Sequence, residues 1–205
     1  MSHIAFNGSA LARAVSILGH PLLMLPLAVL ALSLARNGGD RDTLVIAAGF
    51  GMFAAAVLGY SWWQVRCGRW THVDASTRHE RGSLNRFLLV ALAVAAVVAW
   101  SASMHELAFG LGLSAALIAA AMLSSRYCKL SLHLAFAVYA AMLLSRIDWR
   151  LAAGAFVFAA VLAWSRLALQ RHVPRDLVAG ALAGLIAGAL FWQLLPAVAL
   201  PAMTE

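Results

Sequence analysis

The chain has 205 residues, of which 63% are hydrophobic and 11% are charged, and its formal net charge is +7. Soluble domains carry about 25% charged residues, and a single soluble domain of this length could not bury so much apolar surface, so that class is excluded. The basic residues lie in short loops beside apolar segments. This pattern argues against nucleic acid as a partner and favours membrane lipids, anionic headgroups and phosphorylated ligands.

Seven apolar blocks follow one another along the chain, at roughly 15–35, 44–63, 87–104, 107–123, 132–145, 151–169 and 177–199. A helix that crosses a bilayer needs about 20 apolar residues. We therefore predict an all-α bundle of six or seven transmembrane helices, with seven preferred, in a single domain covering 1–205. The blocks 107–123 and 132–145 are short, so one of them is a candidate for a half-buried or re-entrant segment.

Two blocks carry local signals of their own. His20-Pro21 interrupts the first block, which predicts a kink there, with a role in substrate binding as the alternative. In the last block, Gly180, Gly184 and Gly188 recur at four-residue spacing. Such a stripe of small residues predicts close packing of that helix against a neighbour.

The first polar cluster is the gap at 64–86, which is the longest between two blocks and contains Asp74, Arg78 and Arg81. Charges of both signs are unusual for a simple positively charged flank. A clamp for a headgroup or diphosphate and an ordinary polar loop are equally good explanations. His72 and His79 lack partners at metal-ligand spacing, and we predict neither a metal site nor a cofactor.

A second polar cluster precedes the fifth block and contains Arg126, Lys129, Ser131 and His133. Ser131 stands at the N-cap position of the predicted helix, where unpaired backbone N–H groups favour an anion. Capping the helix, binding the anion and doing both are the alternatives for Ser131. His133, in the first turn, would face that anion and can protonate a departing oxygen. For Lys129 the ordinary alternative is an anchor at the membrane boundary.

The third cluster, between the last two blocks, is the most informative stretch of the chain. His172 and Asp176 are four residues apart, and Pro174 suits the first turn of the following helix. This spacing brings the carboxylate to one ring nitrogen and leaves the other as an unprotonated nucleophile or base. Arg166 offers a planar fork for phosphate oxygens. An isolated His172 would be an interfacial residue, but Arg166 and Asp176 at these spacings favour a phosphate site.

The basic residues are distributed unevenly between the two faces of the predicted bundle. If every block crosses once, Arg36, Arg41, Arg146 and Arg150 lie on one face and the other eleven of the fifteen Lys and Arg residues lie on the opposite face. The positive-inside rule would make the crowded face cytoplasmic. The histidines, serine and aspartate among these cations instead favour an anion-binding site.

The third cluster resembles a motif of the type 2 phosphatidic acid phosphatase family, which shares its fold with vanadium haloperoxidases. The family pattern Ser-Arg-x5-His-x3-Asp is matched in full by Ser165, Arg166, His172 and Asp176. The resemblance is strongest over about 124–185, within a motif-bearing core of about 124–199.

The other two family motifs depart from the pattern. Pro-Ser-Gly-His is matched in part, because Ser131 and His133 are present while Leu130 and Leu132 stand at the proline and glycine positions. Lys-x6-Arg-Pro is not matched. The segment from Asp74 keeps the step to its arginine, but aspartate and glycine replace the lysine and proline. Its role then falls either to the 64–86 gap or to the cations of the second cluster.

The resemblance implies a mechanism and a site. His172 would attack phosphorus to form a phosphohistidine, Asp176 would orient it, and His133 would protonate the leaving oxygen and later activate water, without a metal. The phosphoryl oxygens would be held by polar and basic side chains from the three clusters: Arg166, Ser131, Lys129, Arg81, Arg78 and Arg126.

The sequence thus predicts a membrane-embedded phosphatase for a lipid phosphate or diphosphate of the phosphatidate, phosphatidylglycerol phosphate or polyprenyl type. A lipid-linked phosphotransferase using the same site and a non-catalytic relative or transporter are the alternatives. The expected location is the plasma membrane of a bacterium. The resemblance favours a site on the outer face, whereas the charge count favours the cytoplasmic face.

Overall fold

A computed structural model describes residues 2–72 and 77–194, except for the side chains of residues 2–9, Asn37 and Arg78. These residues form helices and connecting segments only, so the predicted all-α fold is confirmed. The helices are α1 (Ser2–Leu18), α2 (Pro21–Asn37), α3 (Arg41–Arg66), α4 (Arg78–Ser101), α5 (His105–Ser124), α6 (Leu132–Leu144), α7 (Trp149–Ala168) and α8 (Pro174–Leu194).

Five of these helices, α3, α4, α5, α7 and α8, are long and apolar enough to cross a membrane. A sixth span is obtained if α1 and α2 are counted together, because they form an apolar pair bent by 47°. The bend lies at His20-Pro21, as predicted, although the sequence analysis missed most of α1. The chain is therefore an integral membrane protein. Its described residues supply five spans, or six if the bent pair is one span, and six is the lower of the two predicted numbers.

The seventh predicted span is α6, which has 13 residues. At 1.5 Å per residue it is about 20 Å long, too short for a hydrocarbon core of about 30 Å. It packs against α2, α5, α7 and α8. Every residue from Leu134 to Ala141 is buried. Its continuous apolar sequence is thus explained by enclosure within the protein.

Close packing of α8 against α6, which the glycine stripe predicts, is confirmed. A Cβ added at Gly180 would lie 2.6 Å from the carbonyl oxygen of Ser131. One added at Gly184 would collide with the carbonyl oxygen of Ala135, and one at Gly188 with the side chain of Met142. The missing side chains let the backbone of α8 approach the beginning of α6, where the polar residues lie.

The helices alternate in direction, and this brings the polar clusters together. Helices α2, α4, α6 and α8 begin at one end of the bundle, where α3, α5 and α7 finish. The segments that follow α5 and α7 therefore meet at this end, which we call the site end.

We predict that Gly184→Ala lowers the melting temperature of the purified protein in detergent. The added methyl would meet the Ala135 backbone, and overpacking of this kind costs about 1–3 kcal/mol. Gly154→Ala in α7 is the matched control, since its added carbon has nothing within 4 Å. Circular dichroism during heating measures both. Equal melting temperatures for the two variants would contradict the role given to the stripe.

Candidate active site

His172 and Asp176, predicted as a pair, are brought together at the beginning of α8. Nδ1 of His172 lies 3.5 Å from Oδ2 of Asp176 and 3.1 Å from the carbonyl oxygen of Lys129. Because a carbonyl oxygen only accepts, Nδ1 carries the proton and donates to it. In the neutral ring Nε2 is then unprotonated, as a nucleophile or base requires.

His172 is neutral near pH 7 despite the carboxylate beside it. Burial lowers the pKa of His172 to about 4, and the charges of Arg166 and Lys129 act in the same direction. Asp176 opposes this shift without reversing it. The imidazole therefore keeps the lone pair on Nε2 throughout the physiological pH range.

Asp176 also fastens the segment before α6 to the first turn of α8. Its Oδ1 accepts the N–H of Lys129 at 3.1 Å, and its Oδ2 accepts the N–H of Val173 at 3.4 Å. Its backbone oxygen accepts the N–H of Ser131 at 3.1 Å. The second and third sequence clusters are thus parts of one structure.

Lys129 belongs to a group of cations rather than standing alone at the membrane boundary. Its Nζ donates to the carbonyl oxygen of Arg171 at 2.9 Å. Burial lowers the pKa of Lys129, and repulsion from Arg81 and Arg166 lowers it further. A bound anion would relieve this repulsion.

Ser131 occupies the N-cap position of α6, but its side chain makes no capping hydrogen bond. The residue is fully buried, and its Oγ has no hydrogen-bond partner among the described residues. Most buried hydroxyl groups in proteins have a partner. The capping alternative is therefore not realised, and because Ser131 is fully buried its predicted contact with a phosphate is not supported either.

His133 lies in the first turn of α6 and contacts a residue that was predicted mainly to produce a kink. The rings of His133 and His20 meet edge to face, with their centroids 5.3 Å apart. His20 caps α2, its Nδ1 accepting the N–H of Leu22 at 3.2 Å. The bend between α1 and α2 thus places His20, a third histidine, beside His133.

Arg166 is buried at the end of α7 and is held there by α1. Its Nη1 donates to Oγ of Ser16 at 2.8 Å. The hydroxyl of Ser165 donates to the carbonyl oxygen of Ala12 at 2.6 Å. Much of α1 lies outside the predicted blocks, so this support for Arg166 was not anticipated.

The functional side chains converge on one cavity of about 1410 Å³ at the site end. Asp176 and Ser131 are buried and do not line it. Eight histidine, arginine and lysine residues line it: His20, Arg81, Arg86, Lys129, His133, Arg166, Arg171 and His172.

Some of the predicted phosphate-binding residues line the cavity and others do not. Arg81, from the 64–86 gap, lines it. Arg126 does not line it and lies exposed on the segment after α5, so its predicted role is not supported. Arg171, which the sequence analysis did not single out, is part of the lining. The side chain of Arg78 and the whole of Asp74 lie outside the described residues.

The arrangement can hold an anion and transfer a group to or from a nitrogen nucleophile. Within residues 2–72 and 77–194, no group of three or more His, Cys, Asp or Glu side chains is placed to hold a metal ion. No family model, curated protein or solved structure matches the chain. The geometry of the site is therefore the basis for assigning its chemistry.

We predict that Arg81→Ala weakens binding of orthophosphate roughly tenfold, because a charge-assisted hydrogen bond contributes about 1.5–3 kcal/mol. Arg126→Ala removes the same charge from a position outside the cavity and is the matched control. Calorimetric titration of each purified variant measures the affinity. A larger loss in Arg126→Ala than in Arg81→Ala would overturn the assignment of the lining.

Proposed function

We propose that this protein is a membrane-embedded phosphatase that hydrolyses a lipid phosphate or diphosphate through a phosphohistidine intermediate. One observation carries the proposal. A neutral His172, with Nε2 unprotonated, lines the same polar opening as His133 and the cations Arg81, Lys129, Arg166 and Arg171. A nitrogen nucleophile, a proton donor and positive charge are the groups that phosphoryl transfer needs.

The first half of the reaction transfers the phosphoryl group to the protein. Nε2 of His172 attacks phosphorus, and the bond from phosphorus to the leaving oxygen breaks as the new P–N bond forms. Burial and the charge of Arg166 lower the pKa of His133, so its ring takes up a proton from solvent as the anionic phosphate binds beside it, and then gives that proton to the leaving oxygen. The ring of His172 becomes positively charged, and Asp176, 3.5 Å from Nδ1, stabilises that charge.

The second half returns the protein to its starting state. His133, now neutral, accepts a proton from water as the water oxygen attacks phosphorus. The P–N bond breaks, orthophosphate leaves, and Nε2 of His172 recovers its lone pair. In both halves the cations around the opening stabilise the charge on the phosphoryl oxygens.

The apolar part of the cavity supports a lipid as the substrate. Beyond the polar opening, its lining is formed mainly by aliphatic and aromatic side chains of α2 to α6. A water-soluble phosphate ester would leave this space without a partner. The motif formed by Ser165, Arg166, His172 and Asp176 further supports kinship with the type 2 phosphatidic acid phosphatase family.

We predict that His172→Ala abolishes phosphate release from a mixed panel of lipid phosphates, because it removes the ring whose Nε2 attacks phosphorus. Asp176→Asn should reduce the rate by roughly 10-fold or more without abolishing it, because the nucleophile survives while its orientation and charge balance suffer. Released orthophosphate measures both, with size-exclusion chromatography confirming the folded state. Turnover comparable to wild type in His172→Ala would overturn the assignment of His172 as the nucleophile, and no phosphate release by the wild-type protein would overturn the phosphatase assignment.

We further infer that the site faces outward from a bacterial plasma membrane. Eleven cations lie on the crowded face, and assigning Arg81, Arg86, Lys129, Arg166 and Arg171 to the cavity leaves six against four. Catalysis, rather than the positive-inside rule, then accounts for much of the asymmetry.

Cys67 tests this orientation, because it is exposed at the end of α3 on the site end. We predict that a membrane-impermeant maleimide labels it in intact cells. Cys128 must first be replaced by serine so that the signal comes from one thiol. Labelling that occurs only after the membrane is opened would place the site on the cytoplasmic face.

A further inference from the structure

The cavity extends much deeper than a phosphate site requires. On α4 its lining runs from Arg81 to Ala99, eighteen residues apart, or roughly 27 Å at 1.5 Å per residue. On α3 it runs from Ser61 to Val45, sixteen residues apart, or roughly 24 Å. The hydrocarbon core of a bilayer is about 30 Å thick, so one leaflet supplies about half of that depth. The cavity therefore passes the midplane of the bilayer.

The deep part of the cavity is suited to hydrocarbon. Ser114, a hydroxyl residue that lines its middle, already donates to the carbonyl oxygen of Gly110 at 2.7 Å. Representative side chains of the surrounding wall are Phe53, Val57, Leu92, Leu111, Ile118 and Phe136. Such a lining offers an occupant apolar contact rather than hydrogen bonds.

The same space is accessible from the side. Helix α3 packs against α2 and α4 packs against α5, and over their described lengths α3 and α4 share no extended interface. They meet near the site end, where the rings of Tyr60 and Phe87 stack at 4.1 Å. Farther from the site end, Val45 lines the cavity and is also about half exposed, at 49%. Hydrocarbon from the bilayer can therefore reach the cavity between α3 and α4.

We propose that the cavity holds a lipid chain that crosses the bilayer midplane, and hence that the substrate is a long-chain polyprenyl phosphate or diphosphate. The phosphate end of this inference rests on the proposed function. The acyl chains of a glycerolipid are accommodated in one leaflet, about 15 Å deep, and would leave the far half of the cavity empty. A longer chain with its phosphate among the cations would fill it.

Gly49 provides a sharp test because it lies in the wall of the cavity, twelve residues and roughly 18 Å along α3 from Ser61. A carbon added at Gly49 meets nothing within 4 Å, so Gly49→Trp would project its ring into open space. Gly51 also has nothing within 4 Å of an added carbon but lies outside the lining. Gly51→Trp is therefore a matched control on the same helix at nearly the same depth.

The experiment measures binding, independently of hydrolysis. Undecaprenyl phosphate, farnesyl phosphate and a dipalmitoyl phosphatidate are each titrated into detergent-solubilised His172→Ala protein, and native mass spectrometry reports the bound fraction. We expect undecaprenyl phosphate to bind most tightly. Gly49→Trp in the same background should reduce its affinity relative to that of farnesyl phosphate roughly tenfold or more, about 1.4 kcal/mol. Gly51→Trp should leave that ratio as it was.

Three outcomes would overturn the chain assignment. The first is a ratio of undecaprenyl phosphate affinity to farnesyl phosphate affinity that Gly49→Trp does not change. The second is tightest binding of the phosphatidate. The third is loss of a dimer in Gly49→Trp without any loss of bound lipid. The last would assign the cavity to a second copy of the chain. Failure of the proposed function is distinguishable, since wild-type protein would then bind the long chain as expected but release no phosphate from it.

Discussion

The carboxylate of Asp176 is the group on which the geometry of the site depends. It accepts the backbone N–H of Lys129 and lies beside Nδ1 of His172, while the carbonyl oxygen of the same residue accepts the N–H of Ser131. The position of one loop and the orientation of one ring are therefore set by a single residue. Its place in the first turn of α8 suits it to this role, because the positive end of the helix dipole stabilises a negative charge there.

Around this carboxylate, burial has opposite consequences for binding and for reactivity. It keeps His172 uncharged, and so nucleophilic, by lowering the pKa of the ring to about 4. Lys129, Arg166 and Arg81 lie close together in the same site, and burial, with repulsion from Arg81 and Arg166, lowers the pKa of Lys129. A phosphate group would suit both conditions, since its negative charge offsets the repulsion among the cations and its phosphorus is a target for a neutral nitrogen. Under the proposed function, the site binds an anion while its nucleophile stays uncharged.

The features that sequence predicts well here are local. The pairing of His172 with Asp176 follows from a four-residue spacing next to a proline, and the helical class follows from the apolar blocks. Features that depend on distant segments were not predictable. His20 meets His133 only because α1 and α2 bend beside α6, and the missing cap at Ser131 depends on how α8 packs above it. Lys129 lines the cavity and Arg126 does not. Sequence could not distinguish them, because both are cations in one short loop.

The shortness of α6 has a consequence for how the protein is made. A segment of 13 residues is poorly suited to being retained in a membrane by itself, even when every residue is apolar. Its stable position requires α7 and α8, which are synthesised after it and supply two of the four surfaces that enclose it. His172 and Asp176 emerge from the ribosome just before the rest of α8. Assembly of the site is therefore among the last steps of biogenesis, and a nascent chain that stops before α8 carries a loosely held α6 and an incomplete site.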